Sequence, residues 1–493
     1  MSWTLWVILA YLLVLMGFNI IRSRRVKTKD DFMVAARSLS IRVMVFTLIC
    51  TWIGSGTFIA GAEYAYKAGF SSMWLPAGAW LGIVLIYFLA AKIRTFGQYT
   101  IGDILEIRYG RFARLFGAVA LIIAFVTIVS YQFRAGGYIL NVATDGAISV
   151  AWGQAIAAFF VIAFTALAGM MAVAYTDLPN GILILTACLV AAPFVILNAG
   201  GLAHAKALLP AGHFQVFSPD FGAHPALKAF SYFLATMALL MGIQSMYQKF
   251  YSAKTPKDAR QAVVLWIVGT VFVEIVVVVI AVFAASKFWG DPTKDPASMV
   301  LQAAKHMVPA PVGLLLLAAA CAVVISTGMN YLLSPSTNVL RDIVESFAGK
   351  KLDSKRAIAL QKIVVVVLGL VAFSLIFVPT VLGKPISVLR YSYFAYTIYG
   401  VSITPALIAA LTWKRATKAG GLASIVTGAF SALFLELIVP NAWPQVMQGG
   451  DPWGIPSIYP SLGISILSLV AVSLAGRPPS AETLEKLFPK KKG

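Results

Sequence analysis

The chain has 493 residues, of which 60% are hydrophobic and 12% charged, with a formal net charge of +20. A water-soluble fold cannot hide that much apolar surface, so composition excludes a soluble globular protein and makes the bilayer the solvent. The positive excess does not point to nucleic acid either, because most Lys and Arg fall in alternate loops between apolar stretches.

Taken in chain order, the expected membrane spans are 4–21, 43–66, 72–91, 115–140, 151–171, 178–198, 227–250, 261–286, 311–346, 358–380, 386–412, 419–440 and 458–475. An apolar helix needs about 20 residues to cross, and the longer spans imply tilt or projection beyond the lipid. The loops after odd-numbered spans carry most of the basic residues. The positive-inside rule puts those loops in the cytoplasm, the amino terminus outside and the Lys490-Lys491-Lys492 tail inside, with anionic lipid as a neighbour. The first span has no basic residue before it and the cluster Arg22 to Lys29 after it, the reverse of a cleavable signal, so it reads as retained.

The second span is interrupted by T-W-I-G-S-G-T-F at Thr51–Phe58. In an unbroken helix the Cys50 carbonyl bonds the Gly54 amide and the Ile53 carbonyl bonds the Thr57 amide. Gly54 and Gly56 each cost about 1 kcal/mol in a helix and permit other dihedrals. A break there frees both carbonyls, and a monovalent hard cation suits such oxygens. The competing reading is that the glycines only let another helix approach closely.

Further along, Arg134 is the one basic residue inside the fourth span. It has two readings, contact with a solute carboxylate or a gate, and snorkelling to the interface. Asp177 precedes Leu178-Pro179-Asn180 and reads as a helix cap or as an ion-release residue. The segments 199–226 and 287–310 are expected to form an external rim, with the four histidines as solvated loop residues. Glu63 and Glu436 read as solvated or paired groups near the outer ends of their spans, and Glu274 as a deeper gate partner or proton-sensitive group. The ninth span holds Val323, Ser326 and Thr327, whose carbonyl and two hydroxyls lie on one face. The alternative is that the hydroxyls bond back to the preceding turn. The spans lack His, Cys–His pairs and paired carboxylates, and Cys50, Cys188 and Cys321 lack metal-ligand spacing; catalytic residues, disulfides and cofactors are therefore not expected.

Spans two to six and seven to eleven each open on an unusual helix, the second rich in Gln244, Ser245, Tyr247 and Gln248. Two five-span halves entering from opposite faces have inverted topology. The expected organisation is therefore a leading helix and basic loop over 1–42, a first half over 43–198, an external loop over 199–226, a second half over 227–412, and two trailing helices with a basic tail over 413–493.

An ordered set of motifs carries a resemblance through most of the chain. They are A-A-R-S-L-S at Ala35, the broken-helix motif with A-Y-K-A-G at Ala65, Y-T-I-G-D-I-L-E-I-R-Y-G at Tyr99 and Y-T-D-L-P-N at Tyr175. Y-S-A-K-T-P-K-D-A-R at Tyr251 and S-T-G-M-N-Y-L-L-S-P-S-T-N-V-L-R-D at Ser326 complete it. Together these resemble the sodium/solute symporter family. The resemblance implies an all-α membrane protein of about thirteen transmembrane helices with the leucine-transporter fold, ten core helices preceded by one and followed by two.

It also implies a sodium site of Cys50, Ile53, Val323, Ser326 and Thr327, with sodium the only metal, and a place for Asp177 at the ion exit or a second ion. Pro179-Asn180 departs from the family pattern, which ends in Gln, and weakens the second-ion reading. The implied solute cavity offers Trp52, Ser55, Gly56, Thr57, Gln244, Ser245 and Tyr247, with Tyr393 and Tyr396 beyond and Arg134 as a carboxylate partner. Some proline-type members carry an acid where this chain has Trp52. The resulting expectation is sodium-coupled import of a small polar solute, a carboxylate rather than a sugar, through the cell membrane. A transporter-fold nutrient sensor and a proton-coupled symporter are the alternatives.

Overall fold

The computed structural model describes residues 3–24, 26–96, 99–222 and 224–488. The expected Lys490–Lys492 tail lies outside the described residues. Helix dominates, with one two-stranded hairpin, Met447–Gln448 against Asp451–Pro452. Every expected span coincides with helix. Among the described residues, eleven helical stretches are long and apolar enough to cross a membrane, and two shorter apolar helices, Leu5–Ile21 and Ile41–Trp52, accompany them.

Burial sorts these helices into a centre and a jacket. The most apolar stretches of Ala310–Phe347 and Val388–Thr412 are 83% buried inside the protein, against 22% for Ser354–Val381. The first two are polar enough to need protein neighbours; the last shows its Val, Leu and Ile side chains outward, as a lipid-facing helix does. Ala310–Asn338 packs against Val150–Asn198 and Arg111–Ala143, which places its Ser326–Asn330 stretch at the middle of the molecule.

Two spans are broken, the first after a helix of 12 residues and the second after one of 18. Ile41–Trp52 ends at Ile53, whose dihedrals (φ −68°, ψ 101°) are extended, and the chain resumes as a π-helical turn, Gly56–Ala60, running into Gly61–Ala68. Pro225–Gly242 ends in the same way at Ile243 (φ −67°, ψ 119°) before Gln244–Ser252 begins. The first interruption was expected from its glycines. The second has only Gly242 beside it, so its sequence signal was the polar run alone.

Val150–Asn198 contains a further interruption at Gly169 (φ 61°), which falls two residues before the expected end of the fifth span. A side chain there meets both strained backbone and the Phe32 ring, 2.7 Å from where its Cβ would stand. Asp177 lies well inside the helix that follows, so the cap reading fails: a residue eight positions into a helix has no free amide to cap. The rim segment also departs from expectation. His213 is fully buried, its Nε2 2.8 Å from the Tyr66 carbonyl and its ring edge-on to Trp289, because Gly69 brings the two backbones together.

A buried ion network ties two of the sequence motifs to each other. The Arg114 guanidinium reaches Asp342 (Nε, 2.7 Å), Asp103 (Nη2, 2.7 Å) and Glu106 (Nη1, 2.5 Å). Thr100 and Asn338 donate to the same Asp342 carboxylate at 2.8 and 2.6 Å. Gly102 has no side chain because a Cβ would stand 2.6 Å from Asp342 Oδ2. Removing one partner of such a buried cluster leaves uncompensated charge and costs about 3–5 kcal/mol. Arg114→Met is therefore expected to lower the thermal unfolding midpoint of the purified protein sharply, and Arg114→Lys to recover only part of it; unchanged midpoints would show that the network contributes little.

Candidate functional site

The break at Ile53 leaves two backbone oxygens without helical partners, and the structure shows what meets them. The Thr327 hydroxyl lies 2.9 Å from the Cys50 carbonyl and 3.0 Å from the Ile53 carbonyl, and Ser326 Oγ lies 3.4 Å from the Cys50 carbonyl. A hydroxyl carries one proton, so Thr327 can satisfy only one of the two carbonyls at a time. Oxygen acceptors outnumber donors here, in a region closed to water, and a cation removes that deficit. Val323 is fully buried one turn earlier on the same helix, with no hydrogen bond to the break. Gly54 makes the approach possible: a Cβ there would stand 2.8 Å from Thr327 Cγ2.

Asp177 adjoins this cluster. Its carboxylate accepts from Thr47 Oγ1 at 2.5 Å, from Ser326 Oγ, and from Asn330 Nδ2 at 3.2 Å, and its carbonyl accepts from Cys50 Sγ at 3.3 Å. One hydroxyl, that of Ser326, thus belongs to both the break and Asp177. On the far side of Asn330 lies Lys249, whose ammonium donates to Asn330 Oδ1 and sits 3.2 Å from Met170 Sδ, with no exposure at all. Thr47, Asn330 and Lys249 were not singled out from sequence. The signal for Lys249 was available, since it is a basic residue placed inside the seventh span.

A small cavity opens beside the break, lined by Trp52, Gly56, Thr57, Tyr396, Thr236 and Glu274 among others. Four of the expected solute residues therefore line it: Trp52, Gly56, Thr57 and Tyr396. Glu274 is the only carboxylate or basic group in that lining. Its two oxygens accept from the indole N–H groups of Trp52 (2.8 Å) and Trp80 (2.6 Å). Among the described residues no Lys, Arg or His pairs with it. Gly56 is required at the wall, because a Cβ would come within 2.5 Å of the Tyr396 hydroxyl. Ser55 is buried beside the wall, its amide donating to Gln132 Oε1 at 3.1 Å.

The remaining expected residues lie elsewhere, and each for a visible reason. Arg134 does not reach the cavity: it donates to Thr380 Oγ1 at 3.1 Å and to Tyr138 Oη at 2.8 Å, and Tyr138 in turn donates to Asp295. It is buried against other helices and so does not snorkel to the interface. The Gln244 side chain accepts from the Ile101 amide at 2.6 Å; its backbone N–H donates to Tyr399 Oη at 2.9 Å, and Tyr399 donates to the Gly242 carbonyl at 2.8 Å, so Tyr399 seals the second break. Tyr247 donates to the Met241 carbonyl at 2.9 Å, and Ser245 is buried next to it, off the cavity wall. Tyr393 lines a wider recess with Tyr232, Lys228, Asp451 and Glu436. Glu63 pairs with Lys67 at 2.8 Å and accepts from Ser387 at 2.6 Å, while Glu436 accepts from Ser457.

Comparison with known proteins agrees with this arrangement. A profile described as "Sodium:solute symporter family" matches residues 32–428. The chain belongs to the sodium:solute symporter family. It is 25% identical to a sodium/proline symporter of Staphylococcus aureus, over 97% of this chain and 94% of that one. It is 24% identical to the high-affinity proline transporter PutP of Bacillus subtilis (strain 168), over 93% and 95%. Its fold superposes on a Na+-coupled sialic acid symporter in a substrate-bound outward-open state with a TM-score of 0.80 at 15% identity, covering 97% of this chain and 98% of that chain. The amino-acid-bound MhsT, in complex with L-phenylalanine, gives a TM-score of 0.56 at 16% identity, over 88% and 98%. The fold is thus of the leucine-transporter type, and the protein is a multi-pass, sodium-coupled membrane transporter rather than an enzyme.

For such a symporter the geometry at the break makes a direct prediction. Thr327→Val keeps the packing against Gly54 and removes the oxygen, so the sodium concentration for half-maximal transport should rise at least about tenfold, roughly 1.4 kcal/mol. Uptake measured against sodium concentration in vesicles checks it; an unchanged half-saturation value would remove Thr327 from the ion site.

Proposed function

We propose that this symporter carries a small amino or imino acid into the cell, with sodium bound by Cys50, Ile53, Val323, Ser326 and Thr327. The observation that carries the solute class is Glu274, a carboxylate held on the cavity wall by two neutral donors. An ionised carboxylate only accepts hydrogen bonds, which matches two indole N–H groups, but its buried charge still lacks a positive partner. A protonated amine on the solute supplies one. The other end of an amino acid suits the adjacent break, where the half-helix Gly61–Ala68 and its π-helical lead present the positive end of a helix dipole.

This reading keeps the expected carboxylate but replaces its partner. Arg134 is engaged by Thr380 and Tyr138, so a plain organic acid would meet only a like charge in the cavity. The relatives named as proline transporters lend support at the level of class. Where the family's proline-type members carry an acid at the position of Trp52, this chain has Trp52 itself donating to an acid from another helix. The acidic function is thereby kept at a different backbone position.

In transport, sodium binding draws the freed carbonyls onto Ser326 and Thr327 and fixes the wall that the solute then meets. Both ligands favour the same arrangement of the broken helix, so each raises the other's affinity. A four-helix bundle within the repeats 43–198 and 227–412 rocks against the remaining scaffold, with the basic loops on the cytoplasmic side and the amino terminus outside. Lipid surrounds Ser354–Val381 and the other exposed apolar helices.

The test is uptake into sodium-loaded gradients of reconstituted vesicles, comparing amino and imino acids with amine-free organic acids of similar size. The amine-bearing set should be accumulated, and Glu274→Gln should lower its apparent affinity about 10- to 100-fold, the value of a hydrogen bond to a charged group, roughly 1.5–3 kcal/mol. Equal uptake of amine-free acids, unaffected by Glu274→Gln, would contradict the proposed class.

A further inference from the structure

Asp177 and Lys249 are both fully buried, on different helices, and one side chain joins them. Asn330 presents its amide oxygen to the Lys249 ammonium and its amide N–H to Asp177 Oδ2, the latter at 3.2 Å. Each end of the amide thus faces the charge that its dipole favours. An ammonium has donors and no acceptors, and both groups that touch Lys249 Nζ, the Asn330 oxygen and the Met170 sulfur, are acceptors. Among the described residues no carboxylate lies within ion-pairing distance of Lys249, so Asp177, across Asn330, is the negative charge it answers.

What surrounds Asp177 otherwise has the composition of a small cation site. Its oxygens converge with the Thr47 and Ser326 hydroxyls and the Asn330 side chain. Oxygens of this kind and one negative charge, next to the oxygen cluster at the break, would attract a second monovalent ion if the charge were uncompensated. In this chain it is compensated from within. We infer that Lys249 is a resident, tethered cation that takes the electrostatic place of a second sodium ion and holds the protein to one sodium per transport cycle. The inference rests on sodium-coupled symport and adds the ion count and the residue that sets it. A lysine bound to its own helix is not released with the solute, so it balances Asp177 without carrying charge across the membrane.

The test needs no solute. Equilibrium binding of radioactive sodium to the purified full-length protein counts ions directly, with thermal unfolding as the check on folding. Wild type and Lys249→Arg should bind one sodium per chain. Lys249→Met should bind two, and Lys249→Met with Asp177→Asn should return to one. In vesicles with a tenfold sodium gradient and the voltage clamped at zero, the limiting solute accumulation should change from about tenfold to about a hundredfold in Lys249→Met, the ratio scaling with the power of the ion count.

Should Lys249→Met not fold, Asp177→Asn gives the converse: its unanswered lysine charge should weaken sodium binding at least tenfold, and adding Lys249→Met should restore it. A wild type that binds two sodium ions, a folded Lys249→Met that still binds one, or an Asp177→Asn with unchanged sodium affinity would overturn the inference while leaving symport intact. A wild type that binds no sodium would overturn both together.

Discussion

Everything at the centre of this protein depends on two carbonyl oxygens that a helix gives up. When Ile53 turns to extended dihedrals, the Cys50 and Ile53 carbonyls lose their helical N–H donors inside a membrane that offers no water in exchange. Thr327 meets both oxygens with one proton, which is too few. In the proposed site a sodium ion binds these oxygens together with Ser326 and Thr327, which are within reach only while the helices Ile41–Trp52 and Ala310–Asn338 stay in contact. On that proposal ion binding and helix contact are one event. A sodium gradient would then act on the shape of the solute cavity, since the same break forms its wall through Trp52, Gly56 and Thr57.

Around that centre the buried charges differ in their partners. Arg114 is met three times over by Asp342, Asp103 and Glu106, so its counter-charges lie within the protein. Asp177 and Lys249 answer each other through an amide. Glu274 has only neutral indole donors, and among the described residues no Lys, Arg or His pairs with it. The amine of the proposed solute would be its counter-charge.

Much of this was legible before any coordinates. The glycine-rich interruption marked the broken helix on sequence alone, whereas Ser326 and Thr327, whose hydroxyls could equally bond back to the preceding turn, were matched to it through the motif resemblance. The wall residues Trp52, Gly56, Thr57 and Tyr396 followed from the motif resemblance. Less legible was anything that depends on which face a side chain takes within a span. Arg134 is as deep as expected, yet it faces Tyr138 and Thr380 instead of the cavity. The Gln244 side chain turns to the Ile101 amide and the Tyr247 hydroxyl to the Met241 carbonyl, so backbone groups claim both. His213 lies in a loop, where solvation is the ordinary expectation, but Gly69 admits it to the interior. Asp177 reads as a cap from its neighbour Pro179, and only the continuous helix on both sides shows otherwise. Glu274 was noted for depth, while its two tryptophans, one 194 and one 222 residues away in sequence, are joined to it only by the fold.

The most direct measurement is the reciprocity of the two ligands at equilibrium. With purified protein and an amino acid that it accumulates, the solute dissociation constant is determined with and without saturating sodium, and the sodium constant with and without saturating solute. If one break in one helix serves both sites, the two ratios are equal, and both collapse towards one when Thr327 is changed to Val. Solute affinity that is indifferent to sodium, in protein that still binds each ligand, would contradict the coupling of ion and solute through the break at Ile53.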